Sequence, residues 1–326
     1  MPANDRRQYW QELDRSTREI EQQYSLFVAS TVSAVTVTSV IAAIEAGNVD
    51  AIPITSASLT GVNESVRATY LRGGQFEAPA ARIQFDIRNT RAEAWLREQS
   101  SDLITRVSES QREATRIVMQ AGMAQGRNPR QTALDIVGRV GATGRRSGGI
   151  VGLSAPQAEY VTSARAELST GNPRYFTRTR RDRRFDAMIR KAFDSGKPIP
   201  AADVDRIVGR YADRLLFTRG EAIARTEATA ALNAAREEAM MQSVEAGNIH
   251  RDLITRYWDS AGDARTRPAH AAMDGQSRPA GQPFQSPTGV LMMHPGDSSM
   301  GAGAEDVANC RCFERIRYDF IGAANR

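Results

Sequence analysis

The hydrophobic pattern of this chain changes its period near residue 250. Between residues 58 and 246, apolar side chains recur at helical spacing. Residues 252–258 and 311–320 instead alternate and are rich in β-branched and aromatic side chains, which is typical of strands. We therefore expect an α+β protein, with a long, mostly helical N-terminal region and a small C-terminal module in which one long helix packs on a short, mainly antiparallel sheet.

Glycines and capping residues predict the boundaries of the helices. The predicted helices are 58–72, ended by Gly73 and Gly74; a pair over 89–124, broken near 99–101; 128–140, capped by Asn128; one beginning at Ser154; and an alanine-rich helix over 219–246, begun by a capping box at Thr218 and Glu221. Residues 141–152 are predicted to be a flexible loop, 267–274 a short helix, and 276–304 mostly loop with short strands. We divide the chain into an N-terminal helical segment (1–84), a helical domain (85–215) and a C-terminal domain (216–326).

Residues 22–44 carry no charged side chain and are long enough to span a bilayer as a helix. Seven of these 23 residues are Ser or Thr, whose hydroxyl groups need hydrogen-bond partners in hydrocarbon. We expect a buried helix of a bundle and no resident membrane association. The alternatives are a helix that enters a membrane only under special circumstances and a resident span. The N-terminus is charged throughout and lacks the apolar core of a secretory signal.

The positive charge of the chain is concentrated in one segment. Residues 159–215 hold 13 basic and 8 acidic residues, and this excess equals the net charge of +5 of the whole chain. Aromatic side chains lie among the bases, a mixture that suits contact with phosphate and stacking on bases. Three interpretations stay open: a solvated helix face paired with Asp182 and Asp186, a surface for an acidic protein, and a DNA-binding surface. The candidate binding residues are Arg174, Arg178, Arg180, Arg181, Arg183 and Arg184.

All three histidines and both cysteines lie in the last 77 residues. On an extended segment the side chains of Cys310 and Cys312 point to the same face, so with His270 and His294 they would make a tetrahedral zinc site. The C-x-C spacing is tighter than that of ordinary zinc sites. We therefore favour small buried cysteines that pack the sheet and a histidine that bonds to the backbone, and we assign no metal and no cofactor.

The order of short motifs after residue 216 resembles the Mu F-like phage head morphogenesis, or minor head protein, family. The motifs are Ile223-Ala224-Arg225-Thr226-Glu227 with Asn233, Tyr257-Trp258, Arg267-Pro268-Ala269-His270, Met273-Asp274-Gly275, Phe284, His294-Pro295-Gly296-Asp297 and Asn309-Cys310-Arg311-Cys312. The resemblance covers about residues 216–320. Position 294 is not restricted to histidine in this pattern, so the resemblance supplies no reliable fourth ligand for a metal.

The resemblance implies a low-copy protein of the virion, found in the capsid interior or at the portal vertex and in the host cytoplasm during assembly. Its function would be head assembly or genome delivery. The implied partners are the portal protein, other capsid or neck proteins, packaged double-stranded DNA and further copies of the chain around the vertex.

The family supplies no catalytic role, so we expect a non-enzymatic protein in which the matching residues maintain the fold. These residues are Arg225, Glu227, Asn233, His270, Asp274, Gly275, Asn309, Cys310 and Cys312. In particular, Arg225 and Glu227 need polar partners in the following loops, because an unpaired buried charge is costly. His270 is expected to bond to a backbone carbonyl or to Asp274, and Asn309 to cap a turn.

Two other classes of function remain as alternatives. Glu227, His270, Asp274 and Asp297 are residue types that a metal-dependent DNA-processing enzyme would use, although no spacing among them is diagnostic. An ejected, membrane-active virion protein would instead insert residues 22–44 into a membrane.

Overall fold

The computed structural model describes residues 3–52, 58–141 and 144–324. Its α-helices are α1 (Ala3–Ala34), α2 (Val37–Glu45), α3 (Thr60–Ala81), α4 (Thr90–Ala124), α5 (Pro129–Val137), α6 (Ala155–Thr170), α7 (Asp186–Asp194), α8 (Ala201–Glu245), α9 (Pro268–Ala272), α10 (Ala304–Val307) and α11 (Phe320–Ala324). Its strands are β1 (Arg139–Val140), β2 (Arg146–Ser147), β3 (Ile254–Asp259), β4 (Ser277–Pro279), β5 (Phe284–Gln285), β6 (Leu291–Met292) and β7 (Phe313–Tyr318).

The chain forms two compact units that interleave along the sequence. The sheet unit comprises Met1–Tyr24, Thr60–Ser100 and Glu221–Arg326, and the helical unit comprises Ser25–Leu59 and Ser101–Gly220. Helices α1, α4 and α8 each contribute residues to both units. The predicted α+β architecture, with long helices followed by a long helix and small antiparallel sheets, is confirmed.

The sheet unit contains an antiparallel sheet with the strand order β4-β3-β7 and a separate β5–β6 hairpin. Buried side chains alternate along β3, so Ile254, Arg256 and Trp258 share its buried face. Trp258 packs with Phe284 and Met273 in one apolar cluster, whereas Ile254 belongs to a second cluster. The alternation of residues 252–258 and 311–320 thus predicted β3 and β7 correctly.

Helix α3 runs through the two glycines that were predicted to end it. A Cβ atom added at Gly73 would lie 2.7 Å from the backbone oxygen of Leu232 in α8. The ring of Phe85 fills the equivalent space beside Gly74. The predicted stop is therefore wrong, because these glycines allow close packing inside the sheet unit instead of ending the helix.

Two other predicted helix boundaries are also wrong. Helix α4 continues without a break through residues 99–101, since the polar residues there lower helix propensity only by tenths of a kcal/mol. Helix α8 begins at Ala201, far before the predicted capping box, and the hydroxyl of Thr218 donates to the carbonyl of Arg214 within the helix. Apolar residues one turn apart, such as Ile207, Tyr211 and Leu215, extend the helix because they are buried in the core of the helical unit.

The segment after α4 was predicted in part. Asn128 caps α5 as expected, and Ser154 begins α6 with a complete capping box. Helix α5 ends at Val137 rather than at residue 140, because Gly138 adopts a positive φ of 84° and the chain continues into β1. Only β2 lies within the predicted loop, and it pairs with β1, just before the loop, in a short antiparallel hairpin.

The uncharged residues 22–44 form the end of α1 and all of α2 except its last residue, Glu45; Thr36 caps the start of α2. Within the helical unit, Val35, Val40 and Ile44 are buried in the apolar core. Among the described residues, no single helix is long and apolar enough to cross a membrane. Together α1 and α2 are long and apolar enough for a membrane span, but the two helices are bent by 70° where they meet.

The packing of α3 on α8 yields a test of the role of Gly73. Alanine in place of glycine inside a helix ordinarily stabilises it by up to about 1 kcal/mol. We expect Gly73→Ala instead to lower the free energy of unfolding by about 1–3 kcal/mol, because the added methyl group meets backbone atoms that cannot move aside.

The matched control is Gly61→Ala in the same helix, where the added methyl group would meet only the flexible end of the Gln23 side chain. All three tryptophans, Trp10, Trp95 and Trp258, lie in the sheet unit, so tryptophan fluorescence during urea denaturation reports on that unit. Equal stability of the two variants would contradict the assigned role of Gly73.

Candidate functional site

The sheet unit brings His270, Cys310 and Cys312 together in its interior. The Nδ1 atom of His270 lies 3.5 Å from the Sγ atom of each cysteine, and the three potential ligand atoms lie within 4.8 Å of one another. All three residues are buried, with at most 2% of their surface exposed. We call this group the Cys–His cluster.

Local structure holds the histidine of the cluster in place. Pro268 occupies the first turn of α9, where its missing N–H costs nothing. The guanidinium group of Arg267, directly before it, donates to the carbonyl oxygen of Ala308. The ring of Trp258 meets the His270 ring edge-on, with the ring centroids 5.3 Å apart. Contacts of Arg267 and of the His270 ring thus hold α9 in place.

The side chains of α8 hold the segment that carries the cysteines. The Thr229 hydroxyl donates to the carbonyl of Cys310 over 2.7 Å. Asn233 accepts from the N–H of Glu314 over 3.1 Å, and its amide group also donates to the carbonyl of Pro295 over 3.2 Å. Arg236 donates to the carbonyl of Glu314.

At the start of this segment, Asn309 has a positive φ of 56° and its N–H donates to the Thr226 hydroxyl. We call Thr226, Thr229, Asn233 and Arg236 the polar stripe of α8. Its four members successively contact the backbone from Asn309 to Glu314.

The two thiols of the cluster perturb each other. The hydrogen bond between them lowers the pKa of Cys310 and raises the pKa of Cys312, and burial further raises the pKa of Cys312. The Nε2 atom of His270 is buried and has no hydrogen-bond partner among the described residues. A neutral imidazole offers a single lone pair at Nδ1, so it can accept a hydrogen bond from only one of the two thiols at a time.

Several expectations for the matching residues need correction. The ring of His270 faces the cysteines, whereas Asp274 accepts from the N–H of Ser260 over 2.7 Å. His294 does not join the cluster, and its Nδ1 atom lies 3.2 Å from the carbonyl of Pro295. Arg225 pairs with Glu221, one turn earlier in α8, rather than with the following loops.

Glu227 and Gly275 have defined positions in the sheet unit. The carboxylate of Glu227 accepts from the side chain of Gln99 in α4. Gly275 has a positive φ of 76° and donates its N–H to the carbonyl of Trp258, which fits its predicted position in a tight turn.

The acidic residues that a metal-dependent DNA-processing enzyme would use do not lie together around His270. In the part of the chain that the structure describes, the Cys–His cluster is the one group of three or more potential metal ligands. Asp297 accepts from the backbone N–H groups of Met293 and Ser299, at 2.7 and 2.8 Å. Carboxylate groups of Glu227, Asp274 and Asp297 therefore do not form a shared site with His270.

Sequence reasoning missed a buried network of charges next to the cluster. Arg256 is completely buried and contacts the carboxylates of Glu314 at 2.8 Å and Glu237 at 3.2 Å. Arg236 pairs with Glu77 of α3 at 2.8 Å. A signal for Arg256 was present in the sequence, because the alternation of β3 places it on the same face as Ile254 and Trp258.

The pKa of one carboxyl group in this network is raised, which favours its protonated form. Burial, together with the nearby charge of Glu314, raises the pKa of Glu237 from its usual 4.5 to about 8. Arg256 opposes this shift but faces two carboxyl groups at once. A protonated Glu237 leaves Arg256 and Glu314 as a balanced pair of opposite charges.

The candidate arginines in the helical unit fall into two groups. Arg178 binds Glu167 through two nitrogen atoms, at 2.7 and 2.9 Å, and Arg181 binds Asp186 at 2.9 Å. Both side chains are nearly buried. These two arginines therefore hold the helical unit together, as in the interpretation of a paired helix face.

The other four arginines are exposed to solvent. Arg184 binds Asp182, and this hydrogen bond lowers the pKa of the carboxyl group to about 2. Arg174, Arg180 and Arg183 are exposed and have no ion pair within the described ranges of the chain. We call these three residues the free arginines, since their charges remain available to a partner.

The polar stripe gives a prediction about stability. We expect Asn233→Leu to lower the free energy of unfolding of the sheet unit by at least about 1–3 kcal/mol, because the N–H of Glu314 and the carbonyl of Pro295 lose a buried partner. Urea denaturation followed by tryptophan fluorescence measures this loss. Thr226→Ala is the control, since the N–H that it frees belongs to exposed Asn309, which water can reach. A loss no larger than in the control would contradict this role of Asn233.

Glu237 gives a prediction about pH. A carboxyl group whose pKa is raised on folding contributes stability below its unfolded pKa of 4.5, and this contribution disappears as the pH rises through about 8. The thermal midpoint of the wild-type protein should therefore fall between pH 5 and 9 by more than that of Glu237→Gln, which stays neutral. The exposed Glu64→Gln is the control and should follow the wild type. Parallel pH profiles for all three proteins would refute the assignment.

One family model matches the part of the chain that contains both the Cys–His cluster and the polar stripe. Residues 203–314 match the family model described as Phage Mu protein F like protein. Neither the curated proteins nor the solved structures include a significant match to the chain. The matched range contains nearly all of α8, strands β3 to β6 and the cluster, in agreement with the resemblance found in the sequence. The C-terminal region of this chain is therefore similar to the Phage Mu protein F-like family, a family that suggests a phage head morphogenesis protein.

Proposed function

We propose that this protein is a non-enzymatic minor head protein that docks at the portal vertex or in the capsid interior. The observation that carries the proposal is the family match of residues 203–314. The geometry supports it, because the side chains of Thr229, Asn233 and Glu227 are buried and form hydrogen bonds with other parts of the sheet unit. Such residues maintain a fold and leave partner contacts to the surface.

The partner surface that we propose includes the free arginines. Three unpaired guanidinium groups suit either the carboxylates of an acidic portal surface or the phosphates of packaged DNA. The portal protein is the partner that we favour, in an arrangement with several copies of this chain around the vertex. Portal binding would also place the protein to act in head assembly and genome delivery.

Quantitative peptide mass spectrometry of purified particles tests both parts of this proposal. We expect the chain in mature particles at low copy number relative to the major capsid protein. The triple variant Arg174→Gln, Arg180→Gln and Arg183→Gln should be incorporated less well, because the attraction to the partner is weakened while the ion pairs of Arg178 and Arg181 remain. The control, Arg67→Gln, Arg97→Gln and Arg130→Gln, changes the net charge equally at other exposed positions.

The outcomes separate the two partners. Poor incorporation with unchanged DNA binding supports the portal surface. Weaker DNA binding, with the slope of log affinity against log salt reduced by up to ~0.9 for each lost contact, supports DNA. Unchanged incorporation and unchanged DNA binding would refute the role of the free arginines. Absence of the wild-type chain from mature particles would refute the virion assignment.

A further inference from the structure

We propose that the Cys–His cluster binds a thiophilic divalent cation, in the cell Zn²⁺, through Nδ1 of His270 and the Sγ atoms of Cys310 and Cys312. The observation behind this inference is that three soft ligand atoms from two separate segments point at one another in the interior of the sheet unit. This proposal is independent of the partner surface. It departs from the expectation from sequence, which considered a zinc site that included His294 but favoured cysteines that pack the sheet.

Without a cation, the hydrogen bonds of the cluster are weak. One thiol can donate to Nδ1 of His270 over 3.5 Å, and the other can donate to the neighbouring sulphur, which is a weak acceptor. A cation at the centre would instead take an electron pair from each of the three atoms.

The spacing of the ligand atoms fits zinc. At a Zn–S distance of ~2.3 Å, tetrahedral geometry separates two sulphur ligands by about 3.7 Å. The three ligand atoms already lie within 4.8 Å of one another, so only small side-chain movements would be needed. One nitrogen and two sulphur donors, with no carboxylate in the group, favour Zn²⁺ over Mg²⁺ or Ca²⁺.

The charges also balance. Binding would release one proton from each thiol to solvent, while His270 stays neutral and gives its lone pair to the metal. Two thiolates cancel the two positive charges of Zn²⁺, so the buried group carries no net charge, which burial requires. The chain supplies three of the four ligands of a tetrahedral site.

A bound cation would link α9, through His270, to the segment before β7, through Cys310 and Cys312. The same segment is held from the other side, because Thr229 binds the carbonyl of Cys310. We therefore infer a structural role for the metal, in which removing it loosens the sheet unit. Metal affinity should fall at low pH, because protons compete for the thiolates.

The test uses the full-length protein purified under reducing conditions. Elemental analysis after supply of zinc should give one equivalent per chain. Replacement by Co²⁺ should give a thiolate-to-cobalt charge-transfer band and the intense visible bands of a tetrahedral site. Chelation should lower the thermal midpoint of the wild-type protein. Cys312→Ser and His270→Gln should lose stoichiometric binding, whereas the exposed His250→Gln should behave as the wild type.

The wild-type protein alone can decide the question if a variant fails to fold. Titration of the thiols with a chromogenic reagent should show that zinc protects two thiols and that a chelator exposes them. Reduced wild-type protein that takes up no zinc and gives no cobalt–thiolate band would overturn the proposal. A disulfide between Cys310 and Cys312 that persists under the same reducing conditions would also overturn it.

Discussion

The sheet unit depends on hydrogen bonds between side chains of α8 and the backbone of the edge strand β7. Strand β7 lies at an edge of the order β4-β3-β7, so the backbone groups on its free side need partners. The polar stripe of α8 supplies them where Asn233 binds the N–H and Arg236 the carbonyl of Glu314. A helix thus takes the place that a fourth strand would occupy at this point.

The match between helix and strand follows from their dimensions. From Thr226 to Arg236 a helix rises ~15 Å, at 1.5 Å per residue. From Asn309 to Glu314 an extended chain covers about 16 Å, at about 3.3 Å per residue. Side chains three or four residues apart on α8 therefore reach the backbone of Asn309, Cys310 and Glu314. The same register places the side chains of Cys310 and Cys312 toward His270.

Close packing around α8 buries several charged side chains, and each of them is paired with an opposite charge or neutralised by a proton. Arg236 and Glu77 neutralise each other where α3 approaches α8 at Gly73. Arg256 faces two carboxyl groups, and the raised pKa of Glu237 removes one of the negative charges at neutral pH. The pairing of residues so distant in sequence could not be predicted from the sequence, since nothing local links Glu77 to Arg236.

Local signals predicted the elements well and their boundaries less well. The change of period predicted β3 and β7, and the capping box at Ser154 predicted the start of α6. Gly73 and Thr218 led to wrong boundaries. A glycine can end a helix or allow close packing within one, and a threonine can cap a helix or bond to a carbonyl inside it; here both residues lie inside helices. The convergence of His270 with the cysteines was only partly foreseen. Extended spacing predicted that the cysteines share a face, whereas the place of α9 above them depends on contacts of Arg267 and Trp258.

The buried residues within the matched range differ from those proposed to bind a partner. Within 203–314, Asn233, His270 and Cys310 are almost completely buried, so they cannot touch another protein without unfolding. The free arginines are exposed and lie before residue 203. The matched range thus contains buried residues that hold the sheet unit together, whereas affinity for a particular partner must come from exposed side chains. On the proposed function, substitutions in the polar stripe act on the stability of the sheet unit, whereas substitutions of the free arginines act on binding to a partner.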